Sequence, residues 1–60
     1  MKIGDLVRIR RGDRVFPEHQ GLFVIIERRR GSDWFTLYSL KTGGESLRRK
    51  RSLEVIHENR

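Results

Sequence analysis

The side chains of this chain that could do chemistry are mostly cations, and they come in runs. Arg8, Arg10, Arg11 and Arg14 form one group, Arg28, Arg29 and Arg30 a second, and Arg48, Arg49, Lys50 and Arg51 a third. Of the 14 Lys and Arg residues, 11 are Arg and 3 are Lys. A guanidinium binds phosphate through two parallel hydrogen bonds and stacks on planar rings, whereas an ammonium acts as a point charge. The formal net charge of +6 points the same way, towards an anionic partner, with nucleic acid first. The same charges also serve as a solvated surface that keeps a small protein soluble and its sheet edges unpaired.

Aromatic residues are the second group. Phe16, Phe23, Trp34, Phe35 and Tyr38 could stack on unpaired bases or fill a core. Trp34 and Tyr38 share a parity on one expected strand, with Phe35 and Leu37 on the other. If the latter pair points inward, the former points out together. Phe16, Phe23 and Phe35 are read as packing residues.

Other chemistries find no support. His19 and His57 are far apart, the chain has no cysteine, and no His-x-His spacing is present, so no metal site is expected. The carboxylates Asp5, Asp13, Glu18, Glu27, Asp33, Glu45, Glu54 and Glu58 are scattered singly, without a pair for acid–base work. No serine stands in a Gly-x-Ser-x-Gly elbow. Gly43-Gly44 lacks the Lys-Ser/Thr that follows a phosphate loop and reads as a hairpin turn. The expectation is a non-enzymatic binding module without a cofactor.

The elements that position these residues are short strands. With 60 residues the chain reads as one domain, residues 1–60. Such a domain hides only about 60% of the surface its unfolded chain exposes, which leaves no room for a deep pocket. Residues 3–10 alternate, with Ile3, Val7 and Ile9 on one parity, and Gly4-Asp5 opens the strand as a turn or bulge. Residues 11–20 form a loop, with Val15-Phe16 folding back on the core. Residues 21–30 hold the apolar run Leu22–Ile26, expected to be covered on both faces. Gly31-Ser32-Asp33 is a turn, residues 34–40 a strand, residues 41–44 a glycine turn, and residues 45–49 a short polar strand with Leu47 its one apolar residue. A single turn at Arg51-Ser52 precedes a last strand over residues 53–57, where Leu53, Val55 and Ile56 are expected to be buried and residues 58–60 to fray. Five strands with close turn signals and no amphipathic helix predict an all-β fold, a small barrel. No apolar run nears the ~20 residues of a membrane span, and the N-terminus lacks a signal-peptide core, so a cytoplasmic protein is expected.

The order of these signals resembles a family. Lys-Ile-Gly-Asp-Leu-Val at the front, Gly-Leu-Phe-Val-Ile-Ile-Glu in the middle, Trp-Phe-Thr-Leu-Tyr, and Leu-Glu-Val-Ile at the end are similar to SH3-like barrels of the KOW and Tudor type. The likeness is strongest to the short SH3-like proteins that bacteriophages encode, and it covers residues 2–57. It implies a five-stranded SH3-like barrel with a short 3-10 turn near Lys50 to Ser52, and residence in a host cytoplasm. It also implies a meander of the strands at 21–30, 34–40 and 45–49, with the 28–30 run beside Trp34 and the 48–51 run at the far end of the last meander strand. Whether the runs share one side or sit at different ends of the barrel, the sequence does not decide. Phe23 stands where KOW-like sequences usually carry a second glycine. The acidic, tyrosine-rich signature of peptide-binding SH3 domains is missing, so proline-motif binding is not implied, and no catalytic residue carries over.

These readings converge on a candidate set for nucleic acid, DNA or RNA: Arg10, Arg11, Arg14, Arg28, Arg30, Trp34, Tyr38, Arg48, Arg49 and Arg51. The rival is an adaptor that docks on an acidic surface of a host protein or self-associates along a strand edge, with Leu6, Trp34 and Tyr38 as anchors.

Overall fold

A computed structural model describes residues 1–10 and 21–59. The strands β1 (Leu6–Ile9), β2 (Phe23–Arg28), β3 (Trp34–Ser39), β4 (Glu45–Arg49) and β5 (Leu53–His57) form one sheet, and a 3-10 turn over Lys50–Ser52 leads into β5. Every pairing is antiparallel, in the order β4-β3-β2-β1-β5. Among the described residues no β4–β5 pairing closes this ladder, and no helix is long and apolar enough to cross a membrane. The expectations for the loop at 11–20, including Arg11, Arg14, Val15, Phe16 and His19, lie outside the described residues.

Period-two alternation explains which face is buried. In β3, Phe35, Leu37 and Ser39 point inward and are buried, while Trp34, Thr36 and Tyr38 face out. Val7, Phe23, Ile25 and Leu53 complete the core, and Met1, Ile9 and Val55 pack against it. Each such aliphatic or phenyl side chain contributes about 1.5–3 kcal/mol on burial, so this small set carries the packing of the molecule. At the far end of β3 the buried Ser39 Oγ accepts the N–H groups of Lys41 and Thr42, at 3.2 and 3.1 Å, and closes the β3–β4 hairpin.

Three expectations are corrected. The run Leu22–Ile26 is not covered on both faces: Phe23 and Ile25 are buried, whereas Leu22 and Ile26 are exposed. An antiparallel sheet of this size has one core face, and the outward members of the run lie on the other. Ile3 is exposed because the strand begins only at Leu6, after a turn in which Gly4 takes φ +93°. Ile56 is exposed because Leu53 and Val55 face the core, pairing with Ile9 and Val7, and period-two alternation turns Ile56 to the other face.

The tail is not loose throughout either. Asp5 is buried, and its carboxylate accepts the Lys2 N–H through Oδ2 and the Asn59 N–H through Oδ1, each at 2.9 Å. Its carbonyl accepts the Ile25 N–H at 3.1 Å, and Gly4 N–H donates to the Ile25 carbonyl at 2.8 Å. One aspartate therefore joins both ends of the described chain to β2. A side chain at position 4 would run into Asn59, so Gly4 is needed for both its φ and its space.

The hydrogen bond from Asn59 holds the Asp5 carboxyl below the ordinary aspartate value of 3.8; burial opposes the shift, and the Lys2 N–H and nearby positive charges add to it. Because the folded-state pKa is depressed, its stabilisation is present above 3.8 and is lost as pH falls through that range. Asp5→Asn is expected to unfold at a lower temperature than the wild type at neutral pH. The gap between them narrows as the solution is acidified below about pH 4, as thermal unfolding followed by circular dichroism will show.

Candidate functional site

The β2–β3 connection is a tight turn made of cations. Ser32 N–H donates to the Arg29 carbonyl at 3.2 Å, and Gly31, third of the four residues, has φ +76°. No non-glycine residue among those described has positive φ, so the turn follows type II geometry, with Arg30 second and Gly31 in the position that needs its freedom. Ser32 Oγ then accepts the Trp34 N–H at 3.2 Å and starts β3. Arg28, Arg29 and Arg30 are all exposed at this turn.

The return of β4 brings the second run to the same place. β4 is antiparallel to β3 with Trp34 opposite Arg49 and Phe35 opposite Arg48, while β2 places Arg28 opposite Phe35. Arg28, Phe35 and Arg48 thus form one row across three strands, about 10 Å from end to end at the usual strand spacing. Lys50 N–H donates to the Asp33 carbonyl at 2.7 Å, fixing the 3-10 turn against the 29–32 turn. Of the two placements that the sequence leaves open, one side or different ends, the register selects one side for the 28–30 and 48–51 runs. A third meander strand ends where the first one ends, so β4 carries its terminal arginines back to the arginines that end β2.

The 3-10 turn also draws in β1. Arg10 N–H donates to the Ser52 carbonyl at 2.8 Å, and Arg10 Nε to the Leu53 carbonyl at 3.3 Å. Hydrogen bonds and strand pairs therefore connect Arg10, Ser52, Lys50, Asp33, Trp34 and Arg49 without a break. Arg8 is set apart: it pairs across β1–β5 with Glu54 at 2.9 Å. Both side chains are about half exposed, so this pair contributes at most about 1 kcal/mol.

The cations of the cluster are not equivalent. The Arg28 guanidinium lies 6.0 Å from the Phe35 ring centroid, and Arg48, half-buried, flanks the same ring in register, so both help cover the end of the core. The Arg49 guanidinium lies 4.9 Å over the Trp34 ring on the outer face. Arg29, Arg30, Lys50 and Arg51 are exposed and hold no ion pair with another described residue. Tyr38 shares a face with Trp34, but four residues along the strand place it about 13 Å away. Its direct neighbours across the strands are Val24 and Glu45, neither an arginine.

Of the residues singled out from sequence, the structure gathers Arg10, Arg28, Arg30, Trp34, Arg48, Arg49 and Arg51; Arg11 and Arg14 lie outside the described residues. Arg29 and Lys50 belong to the cluster too, and the sequence reading misses them although their runs are visible. Among the described residues no three His, Asp or Glu side chains gather as a metal site. The chain matches no protein-family model, no curated protein and no solved structure.

Removing the guanidinium in Arg49→Ala exposes one face of the chain's single tryptophan to water. Its fluorescence emission should shift to longer wavelength, with a stability loss of about 0.5–1 kcal/mol. Unchanged emission would mean that Arg49 does not rest on Trp34 in solution.

Proposed function

We propose that the protein is a non-enzymatic nucleic-acid-binding module that contacts phosphates through the cation cluster built by the 29–32 turn, the end of β4 and the 3-10 turn. The observation that carries this reading is the antiparallel register that sets Arg28 and Arg48 on either side of Phe35 and Arg49 beside Trp34. Seven cations from residues 28–30 and 48–51 then share one end of a molecule only 29 × 19 × 18 Å in extent. Like charges this close repel one another, and an anionic partner relieves that cost while releasing its own counterions. Exposed arginines without described carboxylate partners suit bidentate phosphate binding.

The architecture is an SH3-like barrel in this reading. The strand order has a five-strand meander-and-return form, and the 3-10 turn, about 6 Å long, bridges the end of β4 and the start of β5. Such a short bridge requires the two edge strands to approach at that point, which curls the sheet towards closure. The likeness to phage SH3-like proteins and a cytoplasmic setting stand as part of the same proposal.

Arg30 and Arg51 are suited to the test because neither covers the core. In the double variant Arg30→Glu/Arg51→Glu, affinity for DNA and RNA oligonucleotides is expected to fall. The slope of log K against log salt is expected to flatten by about 1 for each phosphate that is no longer neutralised. Lys41→Glu, in the hairpin at the far end of β3, makes the same kind of charge change and should leave the slope near the wild-type value. An equal weakening in both variants would mean that net charge, not this cluster, governs binding.

A further inference from the structure

The outer face of the β2–β3–β4 meander is mixed: apolar side chains lie open on it among Glu27, Thr36 and Glu45. Ile26, Tyr38 and Leu47 are 40%, 41% and 45% exposed, and Trp34 is half-buried beside them. The register makes these one surface: Leu47 lies opposite Thr36, Glu27 opposite Thr36 at the bulge that follows Ile25, and Val24 opposite Tyr38. This face meets the cation cluster at one place, where Arg49 rests on the Trp34 ring.

We infer that the nucleic acid taken by this cluster is unpaired, and that one base stacks on Trp34 in the place Arg49 occupies in the free protein. The inference rests on the phosphate-binding reading above and specifies its ligand. A duplex presents phosphates, sugars and base edges, and its base faces are already stacked on one another. Laid on this sheet it would bring no apolar surface to match Ile26, Leu47 and the indole. An unpaired strand offers a base face for the ring and a phosphate for the guanidinium beside it, the pairing of features that single-strand sites use.

The geometry narrows the stacking position to Trp34. A guanidinium 4.9 Å from the ring centroid lies about where a stacked base would be, and there is no room for a base between them. Arg49 therefore moves aside on binding, and a phosphate next to the stacked base receives it. Tyr38 does not serve equally. Glu45 stands directly opposite it and repels the backbone that a base there would bring. The strand crosses the sheet at the Trp34 end.

The single tryptophan makes the inference directly measurable. Wild-type protein is titrated with a short oligothymidylate and with a mixed-sequence duplex of equal length, at matched salt, following Trp34 fluorescence and oligonucleotide anisotropy. The single strand is expected to bind more tightly and to quench Trp34. Trp34→Leu, which keeps an apolar side chain and whose folding is checked by thermal unfolding, should bind the single strand roughly 5- to 150-fold more weakly, the equivalent of ~1–3 kcal/mol for one stacked base. Trp34→Phe should retain most of the affinity, Tyr38→Leu should stay near the wild-type value, and the salt slope should not change. Duplex binding as tight as single-strand binding, with Trp34 unquenched, would overturn the stacking site and leave the arginine cluster standing. Single-strand binding that survives Trp34→Leu would do the same. Failure of both oligonucleotides to bind would overturn the phosphate-binding reading itself, and with it this one.

Discussion

The pleat of β3 divides the molecule, and most other features depend on it. Phe35, Leu37 and Ser39 go to one side and make the centre of the core and the cap of the far hairpin. Trp34, Thr36 and Tyr38 go to the other side and make the surface between β2 and β4. Because β3 is paired on both edges, its register also fixes where the neighbouring strands place their charges. A slip of one residue would send the core side chains to solvent, so burial of Phe35 and Leu37 also holds Arg28, Arg48 and Arg49 in position. Stability and the cation cluster come from the same constraint.

A chain of 60 residues without disulfides cannot rely on core volume alone. Here hydrogen bonds at the ends of elements supplement it. Asp5 binds the N–H groups of Lys2 and Asn59, the Ser39 hydroxyl binds two more in the far hairpin, and Lys50 N–H binds the Asp33 carbonyl. Among the described residues no buried side-chain polar atom lacks a partner. These ties lie at the turns, where a small sheet would otherwise open first. The one between Lys50 and Asp33 holds the two richest cation segments together.

Much of the fold was legible in the residues, and the limits of that legibility are physical. The bounds of β4 and β5 follow from glycine turns and short alternating runs, and the inward pair Phe35 and Leu37 follows from parity. Leu22–Ile26 misleads because five apolar residues in a row look the same whether a second layer covers them or solvent does; only the number of layers in the fold decides. Ile56 misleads only if composition is read without parity: Val55 and Ile56 are equally apolar, but alternation with Leu53 sends one inward and the other out. Asn59 looks like a free end, since nothing in its neighbourhood shows that a carboxylate 54 positions earlier accepts its N–H. For the cluster, the runs were plain but their meeting was not. It needs the direction of β4 to be followed through two hairpins, and Arg29 and Lys50 join only once those turns are built.

Nucleic-acid binding at this end of the sheet requires the segments that carry Arg10, Arg28–Arg30 and Arg48–Arg51 to act as one surface. The most direct measurement is amide chemical-shift mapping of the labelled protein as a short single-stranded oligonucleotide is added at low salt. Shifts are expected to concentrate at residues 28–36 and 47–53 and at Arg10, with Gly4, Asp5, Asn59 and the hairpin at 40–44 unmoved. Shifts spread evenly over the surface, or centred on the hairpin at 40–44, would contradict a single binding surface at the cation cluster.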